Sequence, residues 1–188
     1  MLNTNAPITA QQFFEAWKKV CESRKPRLLK EWELCPNYTA EIFDADGAVI
    51  QGLAEELKLD AYQSYYSIDA IFVNKTNDRV HCAPKTQNWF QNIRIAFEHE
   101  NIFRSGLFQE VSHLLITRAN LRVLVSYPDN EGDLESELVK LAQIISDSDL
   151  AETDPAFLFI VGERINSNTN ILWQAYIYRD NKLLPMPA

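Results

Sequence analysis

The chain has 188 residues, 46% of them hydrophobic and 11% aromatic, enough to bury a core without cross-links and too apolar for intrinsic disorder. Its formal net charge is −8, opposite to the balance of proteins that wrap nucleic acid, so contact with a polyanion has to come from a local patch. No apolar run approaches the roughly 18 residues of a membrane span. Met1–Asn5 lack the charged-then-apolar pattern of a secretory signal. Cys21, Cys35 and Cys82, odd in number and without CxxC spacing, read as free thiols of a reducing cytoplasm.

Thr9 and Gln12 have capping-box spacing, and Phe13, Phe14, Trp17, Val20 and Cys21 recur at helical spacing behind them, which predicts a first helix ending before Pro26. A further short helix is expected between Arg27 and Tyr38, broken by Pro36 and Asn37. After the Asp46-Gly47 turn, Val49, Ile50, Leu53 and Leu57 form one apolar stripe of a helix over Val49 to Leu57. Glu55 falls opposite that stripe, and Glu56 lies on its shoulder. Ser67 to Val73 reads as a strand, Arg79 to Cys82 as a short strand, and Ile93 to Asn101 as another strand. A helix from Leu107 to Ala119 follows, then a strand from Leu121 to Tyr127 stopped by Pro128. Asp133 caps a helix through Ile145. Phe157 to Val161 is a continuous apolar strand expected to be buried on both faces, and Ile171 to Tyr178 is a last, aromatic-rich strand. The helix-separated strands at 93–100, 121–127 and 157–161 predict parallel crossovers, with antiparallel neighbours outside them. The expected fold is therefore α/β: a single domain, residues 1–188, in which a mixed central β-sheet flanked by helices (46–188) follows an N-terminal helical segment (1–45).

Acid enters two of these strands. Asp69 is set among Ile68, Ala70, Ile71, Phe72 and Val73, and a carboxylate there costs desolvation energy unless it is paired. Alternation puts Arg94, Ala96, Glu98 and Glu100 on one face of the other strand and Ile93, Ile95, Phe97 and His99 on the opposite face. Neighbouring carboxylates repel unless a proton or cation separates them, and a divalent metal held by Asp69, Glu98 and Glu100 is the simplest resolution. The three histidines show no HExxH spacing. His99 reads as a packed core or interface histidine, and Ser112 and His113 as structural, with one of the two able to face the site from the next helix. The basic candidates for a nucleic-acid contact are Arg24, Lys25, Arg27 and Lys30, and Arg118 with Arg122. Against them stands the ordinary reading of clustered charge as a solvated face.

An acid-bearing helix, an Asp-bearing strand, a strand ending in Glu-x-Lys or a variant, then a helix and a strand resemble the core of the PD-(D/E)XK, or restriction-endonuclease-like, superfamily. The matching positions here are Glu56, Asp69 in Tyr66-Ser67-Ile68-Asp69-Ala70, Glu98-His99-Glu100, the helix carrying Glu110 to Leu115, and Leu121 to Tyr127. The resemblance covers about Val49 to Tyr127. The family's usual Lys is Glu100 here, a change some active members share, and its Pro-Asp is Ile68-Asp69. The resemblance implies a Mg2+- (or Mn2+-) dependent nuclease of DNA. Asp69 and Glu98 would be direct ligands and the His99 carbonyl a third. Glu100 would bind metal or accept a proton from water, and Glu56 would orient a further water or a second metal. Pairing two weak basic patches is a reason to expect a homodimer. Two other readings stay open: a catalytically silent domain of the same fold that binds protein or nucleic acid, and an unrelated α/β enzyme whose acids are incidental.

Overall fold

In the computed structural model the described residues are 6–33, 35–75, 90, 92–103, 106–128, 131–148, 156–165 and 168–187. The Arg79 to Cys82 strand expected from the sequence lies outside them. Five helices and seven strands are described: α1 (Ala10–Glu31), α2 (Cys35–Phe43), α3 (Val49–Leu57), β1 (Leu59–Tyr65), β2 (Ile68–Asn74), β3 (Ile93–Glu100), α4 (Leu107–Ile116), β4 (Ala119–Ser126), α5 (Glu131–Ser146), β5 (Ala156–Ile165), β6 (Asn170–Arg179) and β7 (Lys182–Pro185). The strands form one mixed sheet in sequence order, β1 to β7. The β3–β4 and β4–β5 pairs are parallel and the other four are antiparallel, so the expected crossovers run through α4 and α5.

Strand alternation divides the core into two layers. On one face Ala70, Phe72, Ile95, Phe97, Leu121, Val123 and Val125 pack beneath Phe13, Trp17, Ile42 and Leu53 of α1, α2 and α3. On the other face Ile71, Val73, Ala96, Leu124 and Phe159 pack beneath Val111, Leu114, Leu141 and Ile145 of α4 and α5. The helices before residue 46 thus form a covering layer of the sheet and are not peripheral to it.

The first helix starts as its sequence predicts, with Thr9 and Gln12 closing a capping box. It does not stop before Pro26, which sits inside α1 and removes one intrahelical hydrogen bond. Tertiary contacts beyond the proline offset that cost: Leu28 is fully buried, and Arg24 and Arg27 converge on the buried Glu41 of α2 at 3.1 and 2.8 Å. Pro36 does not break α2 but lies in its first turn, where an amide hydrogen would have had no helical partner. Two strands were not foreseen, β1 and β7, both at the sheet's edges. Ion pairs also occupy most of the basic residues near the N-terminus. Arg24 and Arg27 are held by Glu41, Lys25 by Glu22 and Lys30 by Glu31. Arg122 is buried, its guanidinium donating to the Leu114 and Thr117 carbonyls at the end of α4. No helix among the described residues is long and apolar enough to cross a membrane.

Candidate metal centre

The β1–β2 hairpin turns through Tyr66 and Ser67, with Tyr65 paired to Ile68. Tyr66 holds a positive φ of 56°, a conformation uncommon for a bulky residue. Asp69 follows at the start of β2. The antiparallel register pairs Ala70 with Phe97 and Ile71 with Ala96, so Asp69 falls opposite Glu98, and both side chains share the face covered by α4. The two residues are tied reciprocally. The Asp69 N–H donates to Glu98 Oε2 at 3.0 Å, and the His99 N–H donates to Asp69 Oδ2 at 2.9 Å.

Helix α4 lies over this pair. Its buried stripe, Leu107, Val111, Leu114 and Leu115, seats it on the sheet, and Arg122 of β4 fastens its last turn. On the shoulder of that stripe Glu110 and His113, three residues apart, reach Glu98. His113 Nδ1 is 3.4 Å from Glu98 Oε1 and 3.4 Å from Glu110 Oε2. Glu98, Glu110 and His113 offer ligand atoms that all lie within 4.8 Å of one another. Glu98 is fully buried, and its Oε1 has no hydrogen-bond partner.

The electrostatics follow from three carboxyl groups sharing a poorly solvated place. Burial, then the Asp69 charge, pushes the Glu98 carboxyl up to about 10. Burial also raises Asp69 and Glu110 above the usual carboxylate range. In water each would be ionised at pH 7. Here the charged forms lose hydration and repel one another, so the cluster has to take up protons or a cation.

The sequence-predicted residues divide sharply. Asp69 and Glu98 come together as alternation requires. Glu100 points to the same face but one residue pair further on. Its Oε1 accepts the Ile102 N–H at 2.6 Å, and its other oxygen lies so close to Gly106 that a Cβ there would meet it at 1.9 Å. Glu56 does not join them. It sits on α3, across the sheet, where it is exposed and paired with Lys19 at 2.6 Å. The His99 ring also lies on that opposite face, stacked on Tyr38 at 6.0 Å and 21°, with Nε2 2.8 Å from the Tyr127 hydroxyl. Burial lowers this imidazole to about 3, so it is neutral at pH 7. Glu110 is the residue the sequence reading missed as a site member, and His113 is the one of the Ser112–His113 pair that faces the site. The available signal was their Glu-x-x-His spacing, which puts two donors on one side of a helix.

No protein-family model, no curated protein and no solved structure matches the chain.

Proposed function

We propose that this chain is a metal-dependent phosphodiesterase acting on DNA, with a restriction-endonuclease-like core running from α3 to β4. The observation that carries the reading is the buried cross-strand pair Asp69 and Glu98, tied by two backbone hydrogen bonds at 3.0 and 2.9 Å and faced by a third carboxylate, Glu110. The element order α3-β1-β2-β3-α4-β4, with β3 and β4 parallel, also supports it. The residues fit a divalent cation, Mg2+ or Mn2+, because the orphaned Glu98 Oε1 is a buried acceptor that a cation would satisfy. Asp69, Glu98 and Glu110 would hold it. When bound, such an ion polarises the phosphodiester and lowers the pKa of its water. The chain's own part is positional and acid–base. The two backbone hydrogen bonds fix the Asp69 and Glu98 carboxylates. Glu110 is only half-buried, and the oxygen it leaves off the ion would take the proton of an attacking water. Glu100, occupied by the Ile102 N–H, is not needed for either step.

A second reading, a catalytically silent domain that binds a partner, is favoured by the same Glu100. The family's Lys would stand there, and this carboxylate is folded onto its own loop. One assay separates the two: linear and supercoiled DNA at low salt with Mn2+, where a chain of net charge −8 meets the least penalty in reaching a polyanion. The expected result is cleavage by the parent and none by Asp69→Asn or Glu98→Gln. Equal cleavage by parent and variants marks a contaminant, and no cleavage by any of them leaves the binding role.

A further inference from the structure

We propose that α4 completes this centre with a nitrogen ligand: Glu98 Oε1, Glu110 Oε2 and His113 Nδ1 form a site that selects a first-row transition cation such as Mn2+ or Co2+ over Mg2+. The inference rests on the proposed function only for what the ion is used for, since cation binding itself needs no nucleic acid.

Three observations carry it. First, the two 3.4 Å separations from His113 Nδ1 are longer than the 2.7–3.2 Å of ordinary hydrogen bonds. They match the ~3.4 Å between donors that share a four-coordinate ion at bond lengths of ~2.1 Å. Second, Glu98 has one oxygen satisfied and one not. Oε2 takes the Asp69 N–H at 3.0 Å, while Oε1, on a fully buried side chain, has no hydrogen-bond partner. His113 Nδ1, facing it, has none either. A buried carboxyl oxygen and a buried imidazole nitrogen, each without a hydrogen-bond partner, face one another across 3.4 Å, a gap that a bound cation would fill. Third, Glu110 and His113 keep part of their surface exposed, which leaves the ion a route in and open positions for water or a ligand.

The donor set decides which ion. Mg2+ prefers six oxygen ligands in near-octahedral geometry and gives up water reluctantly. An imidazole nitrogen adds more to a first-row transition ion than to Mg2+, least for Mn2+ and more for Co2+. Two carboxylates and one imidazole, with room for solvent, therefore shift preference away from Mg2+. With all three ionised, Glu98, Glu110 and the neighbouring Asp69 would supply three negative charges against the ion's two positive, a net of −1.

The test uses the full chain, stripped of metal, without nucleic acid. Mn2+ and Co2+ are the probes, because the exposed Cys35 thiol would bind Zn2+ on its own account. Calorimetry is expected to give affinities for Mn2+ and Co2+ at least about tenfold above Mg2+. His113→Ala is expected to lower both by about 10–100-fold and close the gap to Mg2+. Bound Mn2+ is expected to show the magnetic coupling of a coordinated nitrogen in pulsed electron paramagnetic resonance, absent in His113→Ala. Glu110→Gln, nearly isosteric, serves should His113→Ala prove unfolded by circular dichroism, and is expected to lose affinity while keeping the nitrogen coupling. Equal Mg2+ and Mn2+ affinities in the parent, or no nitrogen coupling, would overturn the inference. Tight Mn2+ binding without DNA cleavage would leave it standing and remove the nuclease. Cleavage supported equally by Mg2+ in parent and His113→Ala would do the reverse.

Discussion

Glu98 and His99 are neighbours on β3 whose side chains pass to opposite faces, and their protonation pulls stability in opposite directions with pH. Glu98 is raised to about 10 in the folded chain from an ordinary 4.5. Below pH ~4.5 both states carry its proton and its contribution is complete. As pH climbs from there towards 10 the unfolded chain releases the proton first, and stability falls by at most ~1.4 kcal/mol per pH unit. His99 is lowered to about 3 from 6.5. Its contribution is complete above pH ~6.5 and is lost as pH falls towards 3. In metal-free buffer the Glu98→Gln variant should therefore lose less stability than the parent between pH 7 and 9, its remaining decline belonging to Asp69 and Glu110, and both should share the loss below pH ~6.5 that belongs to His99. Urea melts across that range measure it, and parallel profiles on the alkaline side would count against a buried, protonated Glu98. Glu41 shows the contrasting case of a buried carboxylate paired with two cations, Arg24 and Arg27.

At the scale of elements, the layer over the sheet depends on how closely α3 approaches α1. Gly52 of α3 allows that approach, since a Cβ there would lie 2.8 Å from Val20 Cγ1 and 3.4 Å from Cγ2. Alanine in a helix interior is worth about 1 kcal/mol over glycine, yet a contact that short against a buried valine forces the helices apart, at a typical cost of ~1–3 kcal/mol. Gly52→Ala should accordingly be destabilising by about 1 kcal/mol net, and Val20→Ala on the same background should recover part of the loss. Chemical denaturation of the two single variants and the double decides it, and a stabilised Gly52→Ala would show that α1 and α3 have slack. On the opposite side, Arg122 sets where α4 ends by taking its terminal carbonyls. That anchor places Glu110 and His113 over Glu98.

For the molecule as a whole, the two faces of the sheet have separate tasks. The α1–α3 face holds the described tryptophans, Trp17, Trp32 and Trp173, while the α4–α5 face holds the Asp69, Glu98 and Glu110 cluster. The first task cannot be cut away. Removal of residues 1–45 would bare Phe72, Ile95, Phe97, Val123 and Val125, all of them buried, and each buried aliphatic or aromatic side chain is worth ~1.5–3 kcal/mol. A chain of residues 46–188 is expected to lack cooperative unfolding and to bind a hydrophobic dye, as a loosely packed state does. Thermal melts with dye fluorescence check this, and a cooperative transition in the truncated chain would restore the view of 1–45 as an extension.

Period-two alternation by itself determined that Asp69 and Glu98 stand among apolar residues and that Glu98 and His99 part company, because side-chain direction in a strand is a local property of the backbone. Helical spacing likewise marked α3, α4 and α5, and the long apolar run marked β5. The edge strands were less legible. β1 is mostly half-exposed and lacks a clean alternation, and β7 has only four residues. Pro26 was misread because a proline's local cost is visible in the sequence and the Leu28 and Glu41 contacts that offset it are not. The site divided along the same line. The shoulder position of Glu56 on its helix was readable, but helical geometry says nothing about which face of a sheet the helix will cover, and α3 covers the one away from Asp69. Glu110 and His113 were on the page as a spacing of three. Only the return of the chain through α4 across β3 and β4, seated by apolar packing and the Arg122 anchor, brought His113 within 3.4 Å of Glu98 and the ligand atoms of all three within 4.8 Å of one another.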